Sequence, residues 1–164
     1  SDRQVTFIPG DAEQLSFPSG QDLIVSCSAL QWFVSPELFF KRCNALLSGH
    51  GYFAFSTFGK ENLKEIAAVT GSGLHYYSLE ELKKSLSMHY NIVTAGEERI
   101  RLTFATPLDV LYHLKHTGVT AVCRQAWTKG DLQEFCDKYA KLFSCGNAVT
   151  LTYHPLYIIA RKKP

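Results

Sequence analysis

Three short strings carry side chains suited to chemistry. In Gly10-Asp11-Ala12-Glu13 a carboxylate follows the apolar stretch Val5 to Pro9. At a strand end it can accept from an adenine amino group or a ribose hydroxyl, and an aspartate capping the next turn accounts for the same string. In Ser26-Cys27-Ser28-Ala29-Leu30-Gln31-Trp32 small residues let a ligand approach the backbone, and the tryptophan can wall a pocket or join the core. In Tyr153-His154-Pro155 the proline interrupts a strand, which turns Tyr153 or His154 toward a cleft or closes a hairpin.

Other combinations point away from chemistry. His113 and His116 stand one helical turn apart, but no third ligand has metal-site spacing, so no metal is expected. Nothing in the sequence sets a base beside Cys27, and the five cysteines are widely spaced without a CxxC pair, as expected of reduced, mostly buried thiols.

The 164 residues are 46% hydrophobic and 20% charged, which fits one globular domain and excludes disorder. No apolar run approaches the ~18 residues of a membrane span, and the first residues lack the pattern of a signal peptide. A cytoplasmic location, without membrane attachment, is expected. The net charge of +2 hides an asymmetry: residues 1–98 carry 7 basic and 11 acidic side chains, residues 99–164 carry 10 and 4. An acidic partner would dock on the second part, or the lysines merely solvate helix faces. The surplus is too small, and aromatic residues too little interleaved with it, for nucleic acid.

The elements that must position these strings follow from periodicity. Val5–Pro9 and Asp22–Cys27 read as strands, the second apolar enough for burial on both faces of a parallel sheet. Ser35-Pro36-Glu37 opens an amphipathic helix, and Gly51–Thr57 is the next strand, completing a parallel crossover. Lys60–Val69 is helical in pattern. Ser78-x-x-Glu81, Thr106-x-x-Asp109 and Thr128-x-x-Asp131 are capping boxes that open three more helices. Ile92–Ala105 reads as a strand region interrupted near Gly96, and Val149–Ala160 as a terminal strand pair. The sum is a three-layer α/β domain over residues 1–164, with a helical insertion at about 106–146, and ligands are expected beyond the carboxyl ends of its strands.

Several strings together carry a resemblance. Gly10-Asp-Ala-Glu-Gln-Leu15 followed by Asp22–Trp32 resembles the middle of class I S-adenosylmethionine-dependent methyltransferases. Ala29-Leu-Gln-Trp32, Phe55-Ser-Thr-Phe58, Thr106-Pro-Leu-Asp109, Leu114-Lys-His-Thr-Gly118, Trp127-Thr-Lys-Gly130 and Leu151-Thr-Tyr-His154, in that order, resemble the malonyl-acyl carrier protein O-methyltransferases of biotin synthesis. The resemblance implies a Rossmann-like, mixed sheet with antiparallel C-terminal strands. It also implies methyl transfer from S-adenosylmethionine to the free carboxylate of a malonyl thioester on acyl carrier protein.

Such a reaction needs no general base, because the carboxylate is already ionised. Rate comes from alignment, and from a cation or hydroxyl that grips the spare oxygen. By motif, Asp11 and Ala12 would face the adenine, while Ser26, Cys27 and Leu30 would line the methionine side, Cys27 standing where the family usually has asparagine. Trp32, Arg124, Tyr153 and His154 are the substrate-side candidates. The family's opening strand and glycine-rich turn have no counterpart, so the chain is expected to match the C-terminal two-thirds of such an enzyme, lacking about two βα units, and to be incomplete or inactive alone. Asp22–Cys27 would then form an apolar edge open to self-association. Methylation of small free carboxylic acids, or a non-catalytic carrier-binding module, are the alternatives.

Overall fold

The computed structural model describes residues 5–119 and 127–164. Four strands form the larger sheet: β1 (Gln21–Cys27), β2 (Leu47–Phe58), β3 (Tyr90–Glu97) and β7 (Pro155–Lys162), in the order β1-β2-β7-β3. β1 and β2 are parallel, and β7 is antiparallel to both β2 and β3. The smaller sheet joins β4 (Ile100–Phe104), β5 (Ser144–Cys145) and β6 (Ala148–Tyr153) in the order β4-β6-β5, all antiparallel. Between the strands run α1 (Pro36–Leu46), α2 (Lys64–Thr70), α3 (Leu79–Leu86), α4 (Pro107–His116) and α5 (Lys129–Phe143).

Alternation along β2 builds the first core. Phe53, Phe55 and Thr57 point to one face and are buried, and there Phe53 and Phe55 stack at 5.0 Å while Phe40 of α1 lies 5.5 Å from Phe55. Leu82 and Leu86 of α3 and Leu156, Ile158 and Ala160 of β7 close this core. Tyr90 is enclosed with them because its hydroxyl donates to the Phe40 carbonyl at 2.8 Å. The second core gathers Ile66 and Val69 of α2, Val110 and Leu114 of α4, Phe135 and Tyr139 of α5 and Val149 and Leu151 of β6.

The three capping boxes form as their spacing requires, each Ser or Thr accepting from the third helical N–H while the acid side chain accepts from the cap's own N–H. At α1 the cap is different. Ser35 makes no side-chain cap, and the Val34 and Ser35 N–H groups each donate to the Glu13 carboxylate at 2.8 Å, which ties the N-terminal segment to the helix entry. The α1–β2 junction is abrupt, and the pairing of β1 with β2 slips between Gln21 and Leu23. At Gly51 any Cβ would stand 2.8 Å from the Gln21 carbonyl oxygen, so only glycine fits there.

Several expectations need correction. Val5–Pro9 forms no strand and is exposed, since no neighbouring strand among the described residues pairs with it. Lys60–Leu63 is loop, and α2 begins only at Lys64, because Leu63 adopts a left-handed backbone with φ +52°. The region read as one interrupted strand is β3 and β4 in different sheets, and the terminal pair β6 and β7 divides between sheets in the same way. Both switches fall at one level, with Glu97 opposite Leu156 and Ile100 opposite Tyr153, where Pro155 has no N–H to continue a ladder.

The three-layer expectation also gives way. Helices α1 and α3 cover one face of the larger sheet, while on the other Leu23 and Val25 are 56% and 57% exposed. Of the four described cysteines only Cys43 is buried, and burial pushes its thiol up to about 12.

Phe53 touches more rings than any neighbour, so Phe53→Ala should lower the unfolding free energy by about 3–5 kcal/mol. A denaturant midpoint within error of wild type would contradict this account of the core.

Candidate active site

The carboxyl ends of the parallel strands β1 and β2 lie side by side, with Cys27 paired to Ser56. After β1 the chain turns through Ser28, whose φ is +49° and whose N–H donates to the Ser56 carbonyl at 3.0 Å. A 3-10 turn, Leu30–Trp32, follows. After β2 the chain turns through Gly59 to Leu63. Ser28 and Leu63 are the two non-glycine residues of positive φ among those described. Each such conformation costs about 1–3 kcal/mol and persists only where the surroundings over-determine it.

The surroundings of the 59–65 segment do so. Gly59 N–H donates to the His154 carbonyl at 2.7 Å, and Leu63 N–H to the Thr152 carbonyl at 2.8 Å. Asn62 Oδ1 accepts from the His154 N–H at 3.1 Å. The buried Glu65 carboxylate accepts from Thr152 Oγ1 at 2.6 Å and from its N–H at 3.0 Å. The Glu61 N–H donates to His154 Nδ1 at 3.1 Å, so the ring proton sits on Nε2, 3.2 Å from Glu97. Gly59 is obligatory here, because a Cβ would stand 2.6 Å from the His154 ring.

Two cavities open on either side of the Leu30–Trp32 turn. The first, about 450 Å³, runs along β1 and is lined mainly by apolar groups, including Ala12, Val25, Ser26, Cys27, Ala29 and Phe33. The second, about 380 Å³, has Trp32 on one side and Lys60, Asn62, Lys64, Tyr76 and Val119 around it. Lys60 pairs with Glu81 at 2.7 Å and Lys64 with Glu61 at 3.0 Å. Burial raises the Tyr76 phenol above its ordinary value, while the Asn62 hydrogen bond works the other way.

The structure sorts the residues singled out from sequence. Ala12, Ser26 and Cys27 share the first cavity. Asp11 is exposed, and its carboxylate accepts from the Glu13 N–H at 2.9 Å and from Gln14 Nε2 at 3.0 Å, the turn-capping arrangement. Leu30 lies in the core and borders neither cavity. Trp32 lines the second cavity. Tyr153 and His113 meet, hydroxyl to Nε2, at 3.0 Å. His154 is 3% exposed and its ring nitrogens are engaged, so the break at Pro155 turns it into the junction between sheets. Arg124 lies outside the described residues.

Lys60, Asn62, Lys64 and Tyr76 were not singled out by sequence reasoning. The available signal was the position of Gly59–Leu63 directly after a strand, hidden by the helical pattern of the next residues. The basic excess of residues 99–164 is also scattered. Helix α5 carries three lysines and three acids, and Arg161 pairs with Tyr52 at the end of the sheet remote from Phe58.

The described residues fit S-adenosylmethionine in part. The first cavity offers an apolar slot and small side chains beside the backbone, but among the described residues no acid lines it, and Asp11 caps its own turn next to Ala12.

Comparison with known proteins agrees with this geometry. A family model described as "Methyltransferase domain" matches residues 1–55. The chain is 56% identical, over 99% of its length, to a protein of Bacteroides thetaiotaomicron named malonyl-[acyl-carrier protein] O-methyltransferase, of which it covers 66%. It is 46% identical to a protein of the same name from Porphyromonas gingivalis, over 96% of this chain and 63% of that one. A Bacteroides fragilis relative of the same name, 58% identical over 98% of this chain, is covered for only 33% of its length, so the chain spans between a third and two-thirds of these relatives. Among solved structures, a presumed methyltransferase of Bacillus halodurans superposes with a TM-score of 0.67 at 17% identity, over 99% of this chain and 74% of that one. YcgJ of Bacillus subtilis superposes at 0.57 and 14% identity, covering 94% and 70%. Both show likeness of fold.

The ion pairs around Glu61, Glu97 and Arg99 make stability depend on pH. Hydrogen bonds from Arg99 and Lys64 push the Glu61 carboxyl down from 4.5 to about 2. Burial alone pushes Glu97 up, but bonds from Arg99 and His154 outweigh it and leave it below its ordinary value. Both are lower folded than unfolded, so their stabilisation is complete above the ordinary 4.5 and is lost as pH falls toward about 2. Arg99→Ala should flatten the fall in thermal midpoint across that window, followed by circular dichroism; an unchanged pH profile would contradict the assignment. By its sequence matches, 56% identity over 99% of its length above all, the chain belongs to the class I methyltransferase family.

Proposed function

We propose that the chain forms the substrate-bearing part of a malonyl-acyl carrier protein O-methyltransferase, which esterifies the free carboxylate of a malonyl thioester. The observation that carries the reading is 56% identity across 99% of the chain to a protein of that name. The geometry supports it. S-adenosylmethionine, when bound, supplies an activated methyl group, and Ala12, Ser26, Cys27 and Phe33 are the side chains that would hold it. The 3-10 turn sets the Trp32 cleft immediately beside that cavity. The carboxylate needs no base, so the protein's part is to align it and exclude water. Trp32 offers an apolar wall for the acyl chain and thioester, while Lys60 and Lys64, each paired with one carboxylate, keep further ammonium protons at the cleft.

In the full-length enzyme, methyl transfer from S-adenosylmethionine should be seen with malonyl-carrier protein, be absent with acetyl-carrier protein, and be far slower with free malonate. Equal rates on free and carrier-bound malonyl groups would instead favour a small-acid methyltransferase. Binding of the carrier without transfer would favour a docking module. Trp32→Ala should raise KM for the carrier substrate about tenfold, or ~1.4 kcal/mol, with kcat little changed. An unchanged KM would remove the cleft from the substrate path.

The reading extends to self-association. β1 is an edge strand with one partner among the described residues and exposed Leu23 and Val25. A second copy adding to this edge would pair its free backbone groups. Light scattering should show a mass that rises with concentration, and Val25→Lys should hold it at the monomer value. A concentration-independent monomer in the parent chain would contradict the proposal.

A further inference from the structure

The direction of one hydrogen bond in the Trp32 cleft is fixed by the fold. Asn62 is 5% exposed and has two unlike ends. Its Oδ1 faces the His154 N–H, 3.1 Å away, and a backbone N–H can only donate. The amide nitrogen is thereby forced to the other side, where it meets the Tyr76 hydroxyl at 3.1 Å. An amide nitrogen can only donate, so the phenol oxygen must accept. The phenol's own proton is left over, and among the described residues nothing accepts it.

The residue that carries that proton borders the cleft. Asn62 and Tyr76 both line it, together with Lys60, Lys64 and Trp32. Burial raises the Tyr76 phenol and keeps it a donor. Each lysine has one carboxylate partner, at 2.7 and 3.0 Å, and an ammonium carries three protons, so both keep donors for an incoming carboxylate. A neutral donor of fixed direction is suited to aligning a carboxylate that the lysines draw in.

We propose that Tyr76 is the hydroxyl that grips the carboxylate of an acyl thioester in the Trp32 cleft, and that Asn62 is the residue that aims it. The identity of the acyl group rests on the function proposed above; the donor geometry does not. Tyr76 then sets specificity for acyl groups that end in a carboxylate over those that end in a methyl. Asn62 is a positioning residue, holding the phenol oxygen as an acceptor so that its proton remains for the ligand.

Two substitutions test this. Tyr76→Phe removes the donor and keeps the ring. Asn62→Asp keeps an acceptor for the His154 N–H but turns the other end into an acceptor, which captures the Tyr76 proton while leaving the phenol in place. Malonyl-pantetheine and acetyl-pantetheine are titrated calorimetrically into the parent chain and both variants, with circular dichroism to confirm folding. The parent should prefer malonyl-pantetheine by about tenfold or more, the scale of a hydrogen bond to a charged group. Both variants should lose most of that preference with acetyl-pantetheine affinity unchanged.

A Tyr76→Phe variant that keeps the full preference, or a parent with none, overturns the proposal. So does an equal loss for both probes, which is what a merely structural role would give. Tyr76→Phe decides the matter alone if Asn62→Asp does not fold. Methylation of malonyl-carrier protein by the full-length enzyme and its Tyr76→Phe variant is assayed in parallel. Selective binding that depends on Tyr76 without methyl transfer would overturn the proposed reaction and leave this inference standing; transfer with Tyr76-independent binding would do the reverse.

Discussion

The structure depends on the clasp that segment 59–65 makes on Thr152–His154. Two sheets meet at that point, because β3–β4 and β6–β7 both change sheet at one level and leave backbone groups that no ladder can satisfy. Gly59, Asn62, Leu63 and Glu65 take up those groups. Losing such a partner leaves a buried donor or acceptor unpaired at about 1–3 kcal/mol each. The clasp therefore stabilises the junction and also over-determines the left-handed turn at Leu63.

That turn has a consequence for chemistry. Left to propensity, Lys60–Val69 would form one helix, and Lys60 and Asn62 would follow its surface. Held open by the clasp, the segment instead presents Lys60, Asn62 and Lys64 to a cleft whose other wall, Trp32, comes from the turn after β1. The junction that joins the two sheets is thus also the scaffold of the cleft. His154 belongs to the scaffold, with Gly59 against its ring and Glu61 and Glu97 on its two nitrogens.

Features governed by neighbours in sequence were legible in it. The three capping boxes formed as their spacing required, and the alternation of Phe53, Phe55 and Thr57 marked the buried face of β2. For Trp32 the sequence left pocket wall and core both open, and the structure leaves it half exposed beside a cavity. What was not legible came from long-range partners. Asn62 lies 92 residues from the N–H that orients it and 14 from the phenol it aims, and neither separation leaves a periodic trace. Asp11 shows the opposite case, since its local role of capping its own turn stood in the sequence beside the ligand role. The division of β6 from β7 was signalled by Pro155, but which sheet each half would join depends on β3 and β4.

The central claim is that substrate binds in the Trp32 cleft and not in the cavity along β1. A crystal structure of the chain with malonyl-pantetheine tests it most directly. The account predicts the ligand carboxylate within hydrogen-bond distance of the Tyr76 hydroxyl, with its acyl chain against Trp32. A carboxylate found instead between Ala12 and Cys27, with the Trp32 cleft holding only solvent, would contradict it.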